Sequence, residues 1–231
     1  MILLERELSN KKVAFLIIFV TLSLVAMRVN FSQLLGTENK SFTFFQFLAP
    51  IGGGIFDPLF GSFAALLAQG LNFAIFGGQM DLFSLLRFFP AMFAAWYFGT
   101  KKNDILFVPI ACMALFWLHP VGAQAPLYAL FWVIPVAARF TGNNLFLRSL
   151  GATFTAHAVG SIAFLYTIPS EPALWTALIP VVLIERIVFA SGIATSFIVV
   201  NTILEMLSAN VDLRCLNIER RYALVKFKSK E

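Results

Sequence analysis

The sequence predicts an all-α protein, a polytopic transmembrane helical bundle of six to eight membrane segments with both termini cytoplasmic. Three observations predict it. Hydrophobic residues make up 59% of the 231 positions and charged residues only 13%, against roughly a quarter charged in soluble domains. Apolar runs recur along almost the whole chain with short polar breaks between them. Lys and Arg gather on one alternate set of those breaks.

Residues 1–12 carry Glu5, Arg6, Glu7, Lys11 and Lys12 and read as a cytoplasmic N-terminus. The first apolar run is 13–29. Acids ahead of it, and no small-x-small cleavage site, argue for a retained helix rather than a removed signal peptide. Residues 42–76 follow. At about 1.5 Å per helical residue they are too long for one crossing of a core about 30 Å thick, and they contain no hydrated loop. Two segments, 43–57 and 59–77, therefore meet in a sharp turn at Asp57-Pro58, just after Gly52-Gly53-Gly54. Glycine there permits close backbone approach, and Asp before Pro reads as a turn cap.

The later runs lie near 87–100, 105–119, 126–139, 147–167 and 174–206. Several fall short of the roughly 20 residues of a full span. The pairs 43–57/59–77 and 105–119/126–139 are thus either tilted spans or partly re-entrant hairpins. Both choices return the chain to the side it left, so the parity is even. The transmembrane domain is 13–206, and 207–231 form a basic cytoplasmic tail. With the N-terminus inside, thirteen cations are cytoplasmic: Arg6, Lys11, Lys12, Lys101, Lys102, Arg139, Arg148, Arg214, Arg220, Arg221, Lys226, Lys228 and Lys230. Three are outside, Arg28, Lys40 and Arg87, and Arg186 lies within a span. That bias fixes the orientation. A net charge of +5 carried in loops and termini suits an anionic membrane face rather than nucleic acid.

Glu185 and Arg186 are the sharpest polar signal. They lie deep in the last apolar run, where a charge costs about 2.5–3.5 kcal/mol and so faces the protein interior with a partner. Adjacent helical residues point about 100° apart, so separate partners are expected: His157 for Glu185, and a solute carboxylate or phosphate for Arg186. Thr153, His157 and Ser161 fall at i, i+4 spacing and form one polar stripe. Gln69 and Asn72 form a weaker one. Small residues at similar spacing (Gly61 with Ala65, Ala64 with Ala68, Ala152 with Ala156 and Gly160, Gly192 with Ser196) favour close helix packing within the chain, or a docking face for a partner. His119, Gln124, Tyr128, Trp132, Tyr166 and Trp175 read as anchors at the outer interface. The cysteines, Cys112 and Cys215, are isolated. No HExxH, GxSxG, phosphate loop or metal-ligand spacing is present, so neither an enzyme nor a bound cofactor is expected.

The run 48–70, with Pro50-Ile-Gly-Gly-Gly, Asp57-Pro58, Gly61 and Ala64-Ala65, resembles the small-residue hairpin between the second and third helices of the substrate-binding S-components of energy-coupling-factor transporters. The resemblance implies a protein that binds a vitamin or similar small molecule on the outer side. It also implies docking to a coupling transmembrane subunit that carries two ATPases. The Ala-x-x-x-Ala docking motif of that family's first span is missing here, since Ala14 and Ala26 are not so spaced. The functional expectation is a multi-pass protein of the cell membrane that binds and helps transport a small polar or anionic solute through Arg186, Glu185, His157, Ser161, Gln69 and Asn72. The alternative is a non-transporting subunit or scaffold that packs with partner membrane proteins.

Overall fold

A computed structural model describes residues 2–33, 41–77 and 80–225 of the chain. Lys40, Lys226, Lys228 and Lys230, four of the cations used for orientation, lie outside those residues, as does the side chain of Arg6. In order, the elements are α1 (Ile2–Ala26), β1 (Asn30–Gln33), β2 (Ser41–Thr43), α2 (Phe45–Ile55), α3 (Pro58–Phe76), α4 (Leu82–Leu86), α5 (Phe89–Gly99), α6 (Phe107–Leu118), α7 (Pro120–Ala123), α8 (Pro126–Ala129), α9 (Val133–Arg139), α10 (Leu145–Thr167) and α11 (Pro172–Ser208). The protein is helical, as the composition requires, with one small departure. β1 and β2 pair antiparallel as a two-stranded ribbon between α1 and α2.

Among the described residues, three helical stretches are long and apolar enough to cross a membrane: Pro58–Phe76, Leu82–Gly99 and Pro172–Ser208. α11 runs for 37 residues, about 55 Å at the helical rise, even though Pro180 lies inside it. The other apolar runs are more broken than their hydrophobicity suggests. α2 has 11 residues, about 16 Å, too short to cross a 30 Å core by itself. The run 126–139 is divided into α8, a 3₁₀ turn at Leu130–Trp132 and α9.

The turn between α2 and α3 has the chemistry its sequence announces. Asp57 is extended, its carboxylate accepts the Phe60 N–H at 2.8 Å, and Pro58 opens α3 where no N–H is needed. Lys12 of α1 closes the turn with an ion pair to Asp57 at 3.1 Å. The glycines make α2 the close-packed centre of the bundle. A Cβ on Gly53 would stand 1.8 Å from the Ala95 carbonyl oxygen, and one on Gly61 2.3 Å from the backbone of Gly52. α2 thus touches α3 and α5 backbone to backbone, and Ala64, Ala65, Ala68 and Ala95 seal the contact with no exposed surface. The small residues of α3 are consumed inside the monomer, as the default reading of their spacing holds.

The tail is not a free appendage. Beyond α11 it folds back over the end of the bundle, where Asn217 donates its N–H to the Ile55 carbonyl at 2.6 Å and its side-chain amide to that of Phe56 at 2.9 Å. Leu213 and Leu216 are buried with Phe98, Ile105 and Phe197. The Arg220 Nε lies 3.1 Å from a carboxylate oxygen of the fully buried Glu205. These contacts gather Lys12, Asp57, Lys102, Arg139, Arg148, Arg220 and Arg221 at one end of the helices.

Candidate functional site

The opposite half of the bundle encloses a cavity of about 730 Å³, and all six side chains singled out from the sequence line it. α3 brings Gln69 and Asn72, α10 brings His157 and Ser161, and α11 brings Glu185 and Arg186. Met27 at the end of α1 also lines it. Fifteen helical residues from Lys12 is about 22 Å, which sets the cavity well away from the basic end.

Arg186 is 4% exposed, and burial of a guanidinium demands partners. Its Nη2 is 3.3 Å from the Glu185 carboxylate and its Nη1 donates to Thr153 Oγ1 at 3.3 Å. The guanidinium carbon lies 4.2 Å from the ring centroid of Phe189 and 5.1 Å from that of Phe42, a geometry that adds cation–π attraction. Its Nε is buried with no hydrogen-bond partner among the described residues. The expectation of separate partners for Glu185 and Arg186 is corrected here. The two backbone positions diverge, but the long arginine side chain bends back far enough to meet its neighbour.

His157 is not the partner of Glu185 either. Trp132 donates its indole N–H to His157 Nδ1 at 3.1 Å, and the Tyr128 hydroxyl lies 2.9 Å from Nε2. An indole nitrogen can only donate, so Nδ1 accepts and the ring proton of the neutral imidazole sits on Nε2. Nε2–H then donates to Tyr128 Oη, which leaves the phenolic proton free to donate to Ser161 Oγ, 3.3 Å away, or into the cavity. The stripe of Thr153, His157 and Ser161 is therefore engaged along its full length: Thr153 to Arg186, and the other two to Tyr128.

The α3 residues sit across from this network. Gln69 donates its amide to the Phe88 carbonyl at 2.7 Å, which leaves its side-chain oxygen as the acceptor it brings to the wall. The Asn72 oxygen accepts from Arg28, whose guanidinium lies over Phe76. Among the described residues, Arg87 lines the same space beside Glu185 and Arg186. Phe45, Phe73, Phe83, Phe88, Phe164 and Trp175 are among the apolar side chains of the wall.

Tyr128, Trp132 and Trp175 are not interfacial anchors. All three are buried in the cluster around Phe116 and Phe154. A buried Trp or Tyr needs a partner for its polar tip, and 128 and 132 are spaced i, i+4 on one face. That spacing was the signal that they belong with His157. Tyr166 does keep an exposed position, with its hydroxyl donating to the Leu115 carbonyl. His119 instead caps α7 by accepting the Val121 N–H at 3.2 Å.

Among the described residues no three His, Cys, Asp or Glu side chains converge as a metal site. The cavity presents guanidinium and hydroxyl donors, a carboxylate and an aromatic wall. Its volume falls in the range of about 300–1,000 Å³ typical of small-molecule sites. Comparison with family models, curated proteins and solved structures gave no match to this chain.

Proposed function

We propose that this chain is a multi-pass protein of the cell membrane that binds a small anionic solute in the α3–α10–α11 cavity and hands it on for transport. The observation that carries this reading is the convergence of Gln69, Asn72, His157, Ser161, Glu185 and Arg186 from three helices on one cavity. The buried Arg186, whose Nε has no hydrogen-bond partner among the described residues, favours an anion, and the aromatic wall favours a solute with an apolar body. The basic end of the bundle faces the cytoplasm, by the positive-inside bias, and the cavity lies toward the outer face, where a scavenged solute arrives. In this reading the protein acts like the S-components its hairpin resembles, working with a coupling transmembrane subunit and ATPases. The burial of the α3 glycine and alanine face inside the monomer weighs against the scaffold alternative, which needs such faces free.

Native mass spectrometry of the gently purified protein tests the reading directly, because a bound metabolite is expected to co-purify. Arg186→Gln is expected to lose that metabolite and abolish uptake while still inserting in the membrane. Loss of folded protein, with no separable effect on uptake, would return Arg186 to a purely structural role.

A further inference from the structure

The basic end of the bundle holds a second cavity, about 620 Å³, lined by Lys101, Arg139, Arg148, Glu219 and Arg221. Its charged lining leaves three positive charges in excess. Its charged side chains come from the turn just after α5, the end of α9, the first turn of α10 and the folded-back tail, with Gly54 of α2 also on the wall. Arg148 is fixed as structure. Its Nε donates to the Phe98 carbonyl at 2.6 Å, its Nη1 pairs with Glu219 at 2.5 Å, and it lies over the Phe98 ring. Arg221 shares Glu219 from the other side at 2.7 Å. Arg139 is aimed by the Lys102 carbonyl at 2.7 Å and by Asn103, and Lys101 is exposed beside it.

Among the described residues one carboxylate does not neutralise this set, and the planar Arg139 guanidinium, held by the Lys102 carbonyl and the Asn103 side-chain oxygen, has further N–H groups with which to meet an oxyanion. We propose that this cavity binds a phosphate group, with Arg139, Lys101 and Arg221 as its ligands and the Arg148–Glu219 pair as the frame that positions them. At the membrane-facing end of a helical bundle that group belongs to an anionic phospholipid headgroup or to a phosphate in solution. The proposal does not depend on the outer cavity binding a solute.

The test uses the full chain in phosphatidylcholine nanodiscs, with and without phosphatidylglycerol. Retained lipid is counted by native mass spectrometry, and inorganic phosphate is titrated by thermal shift in the pure phosphatidylcholine sample. Retention of phosphatidylglycerol identifies the lipid as the source, whereas stabilisation by inorganic phosphate alone identifies solution phosphate. In either case Lys101→Gln and Arg139→Gln should each weaken binding about fivefold. Arg214→Gln, at the same end but outside the cavity and already paired with Asp212, should leave it unchanged. Because Arg139 also anchors the 102–103 turn, Lys101→Gln carries the test if Arg139→Gln fails to fold. The proposal is overturned if neither probe binds, or if Arg214→Gln weakens binding as much as Lys101→Gln does.

Discussion

The indole N–H of Trp132 points at Nδ1 of His157 from 3.1 Å, and that single bond decides which imidazole nitrogen bears the proton. It turns Tyr128 from a donor to His157 into an acceptor from it and so releases the phenolic proton toward Ser161 or a solute. Trp132→Phe keeps an aromatic ring, though a smaller one, and deletes the donor. We expect ¹⁵N spectra of His157 to show the Nε2–H tautomer in the native protein and a mixture in the variant. Solute affinity should drop about two- to tenfold, the worth of one hydrogen bond. An Nδ1–H tautomer in the native protein would contradict the arrangement.

The second prediction concerns the glycines of the α2–α3 hairpin. Ala at 53 would drive a methyl into the Ala95 carbonyl, and Ala at 61 would drive one into the Gly52 backbone. Backbone cannot move aside as a side chain can, so each substitution should lose more than about 3 kcal/mol or force the helices apart. Gly70→Ala is the internal comparison. Nothing lies within 4 Å of its added methyl, and removing a mid-helix glycine should stabilise α3 by about 0.5–1 kcal/mol. Unfolding in mixed detergent would order the three proteins; equal stability for Gly53→Ala and Gly70→Ala would rule out the close packing.

How much of this was legible beforehand varies by type of feature. The Asp57-Pro58 turn and the glycine contacts followed from local chemistry, and so did the choice of six polar side chains on the cavity wall, whereas Arg87, Tyr128 and Trp175 on the same wall did not. A cap, a missing Cβ and a buried charge each carry their consequence within a few residues. Partner choice did not follow. The Glu185–Arg186 contact depends on how a flexible side chain bends, and the His157–Trp132 contact on how a broken segment from Pro126 to Arg139 lies against α10. The fold-back of residues 209–225 was hidden for a similar reason. Leu213, Leu216 and Ala223 are scattered among charges there, and only the end of the bundle supplies the surface that buries them.

That fold-back makes acid sensitivity the third prediction. Burial alone would raise the Glu219 carboxyl, but Arg148 and Arg221 outweigh it and hold it below its ordinary value. A carboxyl depressed in the folded state contributes stability above its unfolded pKa, about 4.3, and loses it as pH falls through the folded one. Melting temperature should therefore be flat from pH 7 down to about 5 and fall below about 4.3. Glu219→Gln should start lower at neutral pH and decline less in acid. Some decline should persist, because the bonds from Arg214 hold the Asp212 carboxyl down to about 2. An acid limb of the same steepness in both proteins would mean that Glu219 does not tie the tail down.

The last prediction separates an anionic solute from a neutral polar one. In the ligand-free protein Glu185 supplies the counter-charge to Arg186 at 3.3 Å, and an anionic solute would compete with it for the same guanidinium. Glu185→Gln removes the competitor and leaves a buried cation short of negative charge. Breaking a fully buried pair costs about 3–5 kcal/mol. Here the loss should be smaller, because the Glu185 side chain is 20% exposed and Thr153 still accepts from Arg186. The ligand-free variant should therefore melt lower than the native protein. An anion should then restore it by a larger thermal shift than it gives the native protein, because that anion now fills the missing role. A neutral solute has no such deficit to fill, and its thermal shift should stay equal or shrink. Measuring both shifts with the solute identified by mass spectrometry decides between the two charge classes, and a shrinking shift for an anion would remove Arg186 from the recognition of charge.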